Sequence, residues 1–316
     1  MTNIVIRPYK FGDVQNIVTL LNRTKYQRDT AFWVWLNRLL PEEESIIHVA
    51  ENNGQIIGHY AAIPQTINYK GQKIKAALGL HAYVAEEFRN TFTIFKLTKG
   101  VYQTLKCKNF DMIYGFPNQK FREFQIKVDK WKEIKMIYSY QNKIKNNVLF
   151  QYKLKKADNT FDTYYKLSEL IDSQKEIKNA DISVDKPISY YVWRYLYHPQ
   201  KLYHCYFILN KKNILGFIIF KVFKSENDVR GHVVDFIKTE SLSILDIINC
   251  AMSYFKDKVD VLSLWPINDC FENELLNYGF TKKNGFETFF GFKKINHSLE
   301  VNFDNFSIQM GESDAF

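Results

Sequence analysis

The chain has 316 residues, of which 46% are hydrophobic and 24% charged, a composition that excludes a disordered chain and leaves room for about two domains with real cores. Aromatic residues are abundant (26 Phe, 20 Tyr, 5 Trp) and serve either as core or as the lining of small-molecule clefts. The net charge of +9 would suit nucleic acid, anionic lipid or a phosphorylated substrate, but no run of five basic residues occurs, so nucleic acid is not an expected partner.

In chain order, Ile4 to Ile6 reads as a short strand, and Asp13 as the N-cap of a helix carrying Val14, Ile17, Val18 and Leu21. Phe32, Trp33, Trp35 and Leu36 form an aromatic cluster. Ile46 to Ala50 and Gln55 to Ile63 are strands joined by the hairpin turn Asn52-Asn53-Gly54. Further antiparallel pairing is expected through Thr66 to Ala77, then a strand from Leu78 to Val84 and a helix from Arg89 to about Lys106. Asp111 to Phe116 is a strand stopped by Pro117, and a helix leads from Lys120 to Trp131. Tyr140 to Lys186 reads as a late strand and a charged connecting segment. Beyond it come a hairpin across Asn210 to Asn213, a strand from Gly231 to Ile237, a helix over Ile244 to Phe255 and a strand over Val259 to Trp265. A short helix ends at Gly279, and Phe286 to Phe292 is the last strand. Both halves share one order of elements, and a helix between two strands implies a partly parallel sheet.

The cysteines Cys107, Cys205, Cys250 and Cys270 form no C-x-x-C pair, which argues against a metal knuckle and fits isolated thiols in a reducing compartment. The start of the chain lacks an apolar signal region, and the longest strongly apolar stretch, Ile214 to Phe220, is far short of a membrane span. A cytoplasmic protein is expected.

This order, with Ile6-Arg7-Pro8, Asp13, Val49-Ala50-Glu51 and Gly54-Gln55-Ile56-Ile57-Gly58, resembles the GNAT superfamily of CoA-dependent N-acyltransferases. Val84-Ala85-Glu86-Glu87-Phe88-Arg89 is similar to that family's strand-to-helix turn, and Tyr114-Gly115-Phe116-Pro117-Asn118 to the end of its next strand. Tyr191, Trp193-Arg194-Tyr195, His198-Pro199 and the closing Gly311-Glu312-Ser313-Asp314 resemble a tandem-GNAT subgroup linked to surface-polysaccharide synthesis. The resemblance implies an α+β (mixed α/β) fold of two tandem GNAT-like units, each a mixed, largely antiparallel twisted sheet flanked by helices. The expected division is residues 1–145 for acyl-CoA, 146–186 as connector and 187–316 for the second substrate.

The same resemblance implies that acyl-CoA is the co-substrate and that no metal is needed. Its pyrophosphate would lie on the helix N-terminus at Arg89, Asn90, Thr91, Phe92, Thr93 and Ile94, where backbone N–H groups and the helix dipole favour an anion. Its pantetheine would run along the backbone of Ala82, Tyr83 and Val84. Phe92 and Ile94 replace the small residues of the family pattern, yet a bulky side chain can point away while its N–H still donates. Asn118 would bond pantetheine or substrate, or only form the turn after Pro117; Phe121 stands in the next helix where relatives place a Tyr. The second half lacks the glycine-rich turn after Asp235 and is not expected to bind a CoA of its own.

Amide formation requires removal of an amine proton. His81 is the candidate base, with an ordinary pKa of about 6.5, or else a structural histidine. Asn118 and Asp235 are the other catalytic candidates. Trp33, Tyr114, Trp193, Arg194, Tyr195, His198 and Trp265 are candidate substrate contacts, an aromatic plus a basic group being suited to a nucleotide diphosphate; the tryptophans would otherwise be core. The expected reaction moves an acyl group from acyl-CoA to the amine of a nucleotide-diphosphate-linked amino sugar. The alternatives are a Fem-like aminoacyl transferase using charged tRNA and a non-catalytic binding protein on a decayed GNAT fold.

Overall fold

A computed structural model describes residues 4–24, 27–69, 71–145, 148–173, 182–224, 228–298 and 306–313. The chain begins with β1 (Ile4–Pro8), α1 (Val14–Leu21), α2 (Thr30–Arg38), β2 (Ile46–Asn52), β3 (Gln55–Tyr69) and β4 (Gln72–Val84). It continues through α3 (Thr91–Cys107), β5 (Met112–Gly115), α4 (Gln119–Lys127) and β6 (Lys132–Lys143). Next come β7 (Lys153–Lys156), α5 (Phe161–Asp172), β8 (Ile182–Val184), α6 (Ile188–Tyr191), β9 (Tyr203–Asn210), β10 (Asn213–Lys224) and β11 (Val229–Lys238). The last elements are α7 (Ile244–Phe255), β12 (Val261–Leu264), α8 (Asp269–Tyr278), β13 (Thr281–Lys294) and β14 (Phe306–Ser307).

Two compact units result. The first comprises Met1–Asn68, Gln72–Met136 and Thr288–Asp304, and the second Tyr69–Gly71, Ile137–Glu287 and Asn305–Phe316. In the first unit, β1, β2 and β3 pair antiparallel, β4 lies beside β3 and pairs parallel to β5, and the end of β13 closes antiparallel on β5. In the second, β7, β9, β10 and β11 pair antiparallel, β11 pairs parallel to β12, and the end of β6 closes antiparallel on β12. Each unit is therefore a mixed, largely antiparallel sheet with a parallel pair joined by a crossover helix (α3 or α7), and β8 and β14 add a second parallel pairing in the second unit.

These units differ from the division expected at residues 145 and 187. Residues 137–186 belong to the second unit, and 288–304 return to the first. The strand after α4 supplies the second sheet and the strand after α8 supplies the first, because backbone pairing, not sequence adjacency, assigns a strand to a sheet. The expected connector instead holds β7 and α5; Thr160 caps α5, whose Thr163, Leu167 and Leu170 are buried.

Local expectations hold at the turns. Asn53 and Gly54 both have positive φ (50° and 80°), as a two-residue hairpin turn matched to strand twist requires. Gly279 ends α8 at φ 99°. Asp13 stands at the start of α1 but makes no side-chain cap; its carboxylate is taken by Arg7 at 2.7 and 3.0 Å and by the Lys10 amide.

Many of the aromatic residues are core. Tyr60, Phe110 and Trp131 pack with Leu97, Val101 and Leu105 of α3 in the first unit. Tyr140, Phe220, Phe255 and Phe271 pack with Ile247 and Met252 in the second. Among the described residues, no helix is long and apolar enough to cross a membrane.

Candidate functional site

The corner between β4 and α3 lies beyond the point where β5 stops and β4 runs on. The parallel register runs from Ala76–Leu78 against Met112–Tyr114. β5 then ends at Gly115, while β4 continues through Gly79 to Val84 and delivers the chain to α3. Asn90 is the N-cap of α3, its side chain accepting from the Thr93 amide at 2.8 Å. Helix geometry leaves the Thr91 and Phe92 amides without an intrahelical carbonyl. The Phe92 side chain is 64% exposed, with Lys96 Nζ 4.2 Å from its ring centroid, so it points away from its own amide. Ile94 packs against the core. The two large residues in place of small ones thus leave the helix end open.

Arg89 does not reach forward. Its guanidinium folds back to donate to the Val84 carbonyl at 3.2 and 3.3 Å and lies 5.5 Å from the Tyr83 ring centroid. That carbonyl, one of the backbone groups expected to pair with pantetheine, is therefore occupied by the chain itself. The matching helix start in the second unit is capped at the same third amide but differs in charge. Ser243 and Asp246 form a reciprocal capping box on α7, which uses donors and adds a negative charge.

His81 interrupts β4 in a left-handed conformation, φ 53°. Such a residue breaks strand alternation, so His81, Ala82 and Tyr83 are all half-buried instead of alternating. The His81 carbonyl accepts from Nδ1 of His59 at 3.0 Å, and the two rings lie 6.5 Å apart. The Trp33 ring also neighbours His59, with centroids 6.4 Å apart in an edge-on arrangement. Burial above all, then the charge of Arg28 and the neighbouring His59, hold the His81 pKa well below its ordinary value. Burial likewise pushes His59 down to about 4. Both imidazoles are neutral at pH 7, which corrects the expectation of an unperturbed His81.

Other expected residues do structural work. The Asn118 side chain accepts from the Phe121 amide at 3.0 Å and caps α4, as Asn268 does for α8 at 2.9 Å. The turn-forming alternative for Asn118 is the one observed, and it recurs in the second unit. Phe121 stacks on Phe124, and Tyr114 is buried edge-on to Phe116 and Phe290.

In the second unit, Asp235 lies inside β11, which runs on to Lys238, so no turn directly follows it. It is 0% exposed, sits 2.9 Å from Lys186 Nζ and accepts from the Tyr195 hydroxyl at 2.7 Å. Lys186 also pairs with Glu312 at 2.8 Å. Arg194 donates to the carbonyls of Gly311 and Ser313, each at 3.2 Å. The two stretches singled out in the second half therefore meet, but as a buried anchor for the end of the chain. Gly311 is required there, since a Cβ would collide with the Tyr195 hydroxyl. Trp193, Trp265 and His198 are buried as well, and burial takes the His198 pKa down to about 3. Asp235 is thus an ion-paired core residue instead of a free base.

Sequence reading missed His59, Arg28 and Lys186. His59 had one legible signal, a polar residue within the apolar run Ile56 to Ala62. A cleft of about 620 Å³ in the first unit, lined by Tyr9, Arg38, Glu43, His48, Lys75 and Lys108 among others, contains none of the expected site residues.

Comparison with known proteins agrees with this geometry. Residues 5–125 match the family model for the acetyltransferase (GNAT) domain. No curated protein matches the chain. Among solved structures, the chain is similar to a GCN5-related N-acetyltransferase from Anabaena variabilis, with 14% identity, TM-score 0.71, and 93% of this chain and 73% of that one covered. It is similar to a probable N-acyltransferase of unknown function from Enterococcus faecalis, with 12% identity, TM-score 0.71, and coverage of 94% and 73%. It is also similar to N-myristoyltransferase from Saccharomyces cerevisiae with bound myristoyl-CoA, with 11% identity, TM-score 0.63, and coverage of 93% and 80%. At these identities the likeness shows the fold.

Proposed function

We propose that this chain, whose residues 5–125 carry a GNAT acetyltransferase domain, is an N-acyltransferase that uses acyl-CoA as co-substrate. The observation that supports it most is the corner where β4 leaves β5 and ends at the open N-terminus of α3. There the Thr91 and Phe92 amides donate to the CoA pyrophosphate, helped by the helix dipole and the nearby Lys96. The exposed Phe92 side chain supports this reading over a decayed, non-binding fold.

Bound acyl-CoA supplies an activated thioester carbonyl. The acceptor amine attacks that carbon with its lone pair, the carbonyl π electrons move to oxygen, and collapse expels the CoA thiolate as the C–S bond breaks. The nitrogen of the adduct is cationic and acidic. A weak base therefore suffices, and neutral His81 takes that proton and passes it to the thiolate.

For the acceptor, our reading is the amine of a nucleotide-diphosphate-linked amino sugar. It is supported by the resemblance of Tyr191 to Tyr195, His198-Pro199 and the closing segment to sugar N-acyltransferases. Trp193, Arg194 and Trp265 lend no support as nucleotide contacts, because they are buried, with Arg194 bound to the chain end. Four free thiols fit a reducing, cytoplasmic setting.

The test is mass spectrometry of products after incubation with a panel of acyl-CoAs and amines, nucleotide-linked amino sugars included, alongside calorimetry with CoA. Acyl transfer to the sugar amine is the expected result. Transfer only to other amines overturns the sugar, and absence of CoA binding overturns the acyltransferase.

A further inference from the structure

We propose that Trp33, His59 and His81 form a buried polar subsite that takes the acceptor amine in its neutral, free-base form, an inference that rests on the acyl-transfer reading above.

The argument starts from one hydrogen bond. His59 Nδ1 lies 3.0 Å from the His81 carbonyl oxygen, and a carbonyl can only accept. Nδ1 therefore carries the proton, and Nε2 of the neutral ring is a bare lone pair. His59 is 0% exposed and, among the described residues, its Nε2 has no hydrogen-bond partner. Trp33 is also 0% exposed, and its Nε1–H has none either. The ring centroids are 6.4 Å apart, so an orphan donor and an orphan acceptor lie on neighbouring rings; His81 Nδ1, on a ring 6.5 Å from His59, is a third orphan. Leaving such groups unsatisfied away from water is costly.

A molecule with one lone pair and one N–H completes both groups. A neutral primary amine has them; an ammonium ion has no lone pair for the Trp33 donor. A nearby charge acts in the same direction. Arg28 bears on both imidazoles. His59 is thus a positioning residue: one nitrogen holds the left-handed His81 and the other holds the nucleophile. The amine loses its proton before it binds, so the acidic limb of the rate profile follows the amine and not a histidine.

Protein carrying nitrogen-15 tryptophan is titrated at pH 7 with trifluoroethylamine, mostly free base there, and with ethylamine, mostly ammonium. Trp33→Phe assigns the indole signal, and calorimetry on the same preparation reports CoA affinity. Trifluoroethylamine should move the Trp33 signal saturably at pH 7, and ethylamine only as the pH rises toward its own pKa. His59→Asn keeps a donor toward His81 but lacks the Nε2 lone pair, and should lose this response with CoA affinity unchanged. A Trp33 signal indifferent to both amines, equally responsive to both at pH 7, or still responsive in His59→Asn overturns the subsite. Absent CoA binding with the Trp33 response intact overturns the acyl-transfer reading alone.

Discussion

Lys186 Nζ stands 2.9 Å from both carboxylate oxygens of Asp235, and the lysine is 6% and the aspartate 0% exposed. With Glu312 on the same ammonium, one cation compensates two buried anions. Lys186→Met should cost about 3–5 kcal/mol, because it leaves buried charge unpaired. Denaturant unfolding measures this. A loss below about 1 kcal/mol, the range of exposed pairs, would mean that the network carries little stability.

Thr91→Pro tests the phosphate site. Position one of a helix accepts proline, and Asn90 already has the extended backbone that a following proline demands (φ −145°, ψ 162°). The fold should survive. Loss of one amide donor to an anion, worth about 1.5–3 kcal/mol, should raise KM for acyl-CoA by roughly one to two orders of magnitude with kcat little changed. An unchanged CoA affinity in a folded variant excludes this helix end.

Calorimetry should give one CoA per chain. The Ser243–Asp246 box adds a carboxylate at the α7 terminus, which opposes an anion there. A stoichiometry of two would contradict that assignment.

His81→Asn should lower kcat by about 10²–10⁴ while leaving acyl-CoA binding intact, the range for loss of a general base. Asn tolerates the left-handed backbone that residue 81 adopts, so the fold is spared. A kcat within a few fold of the parent assigns His81 to structure.

Acid stability has a defined sign. The unfolded His59 titrates near 6.5 and the folded one at about 4, so between these values only the unfolded chain binds the proton. Stability therefore falls as pH drops from 6.5 to 4, by about 2 kcal/mol at pH 5 for this residue. His198 and His232, pushed down by burial to about 3 and about 4, act in the same sense. Glu312 opposes them, since burial raises its pKa and protonation then favours the folded chain. Urea unfolding of His59→Phe at pH 7 and pH 5 should show a correspondingly smaller loss than the parent; an identical loss would refute the assignment.

Much of this protein was determined by local pattern. The Asn53-Gly54 turn, Gly279 and the alternating strands follow from backbone preferences within a few residues, and the order of strands and helices sufficed to indicate the fold. What depended on partners distant in sequence was decided only by tertiary structure. β6 and β13 are assigned to their sheets by hydrogen bonds to β12 and β5, which no local periodicity encodes. Asp235 and Arg194 read as available chemistry until Lys186 and the Gly311–Ser313 backbone occupied them. His81 looked like an ordinary imidazole, but its left-handed backbone, its neighbour His59 and its desolvation come from packing β3 beside β4. A side chain's type is fixed by sequence; its charge state and its freedom to react depend on what the fold places around it.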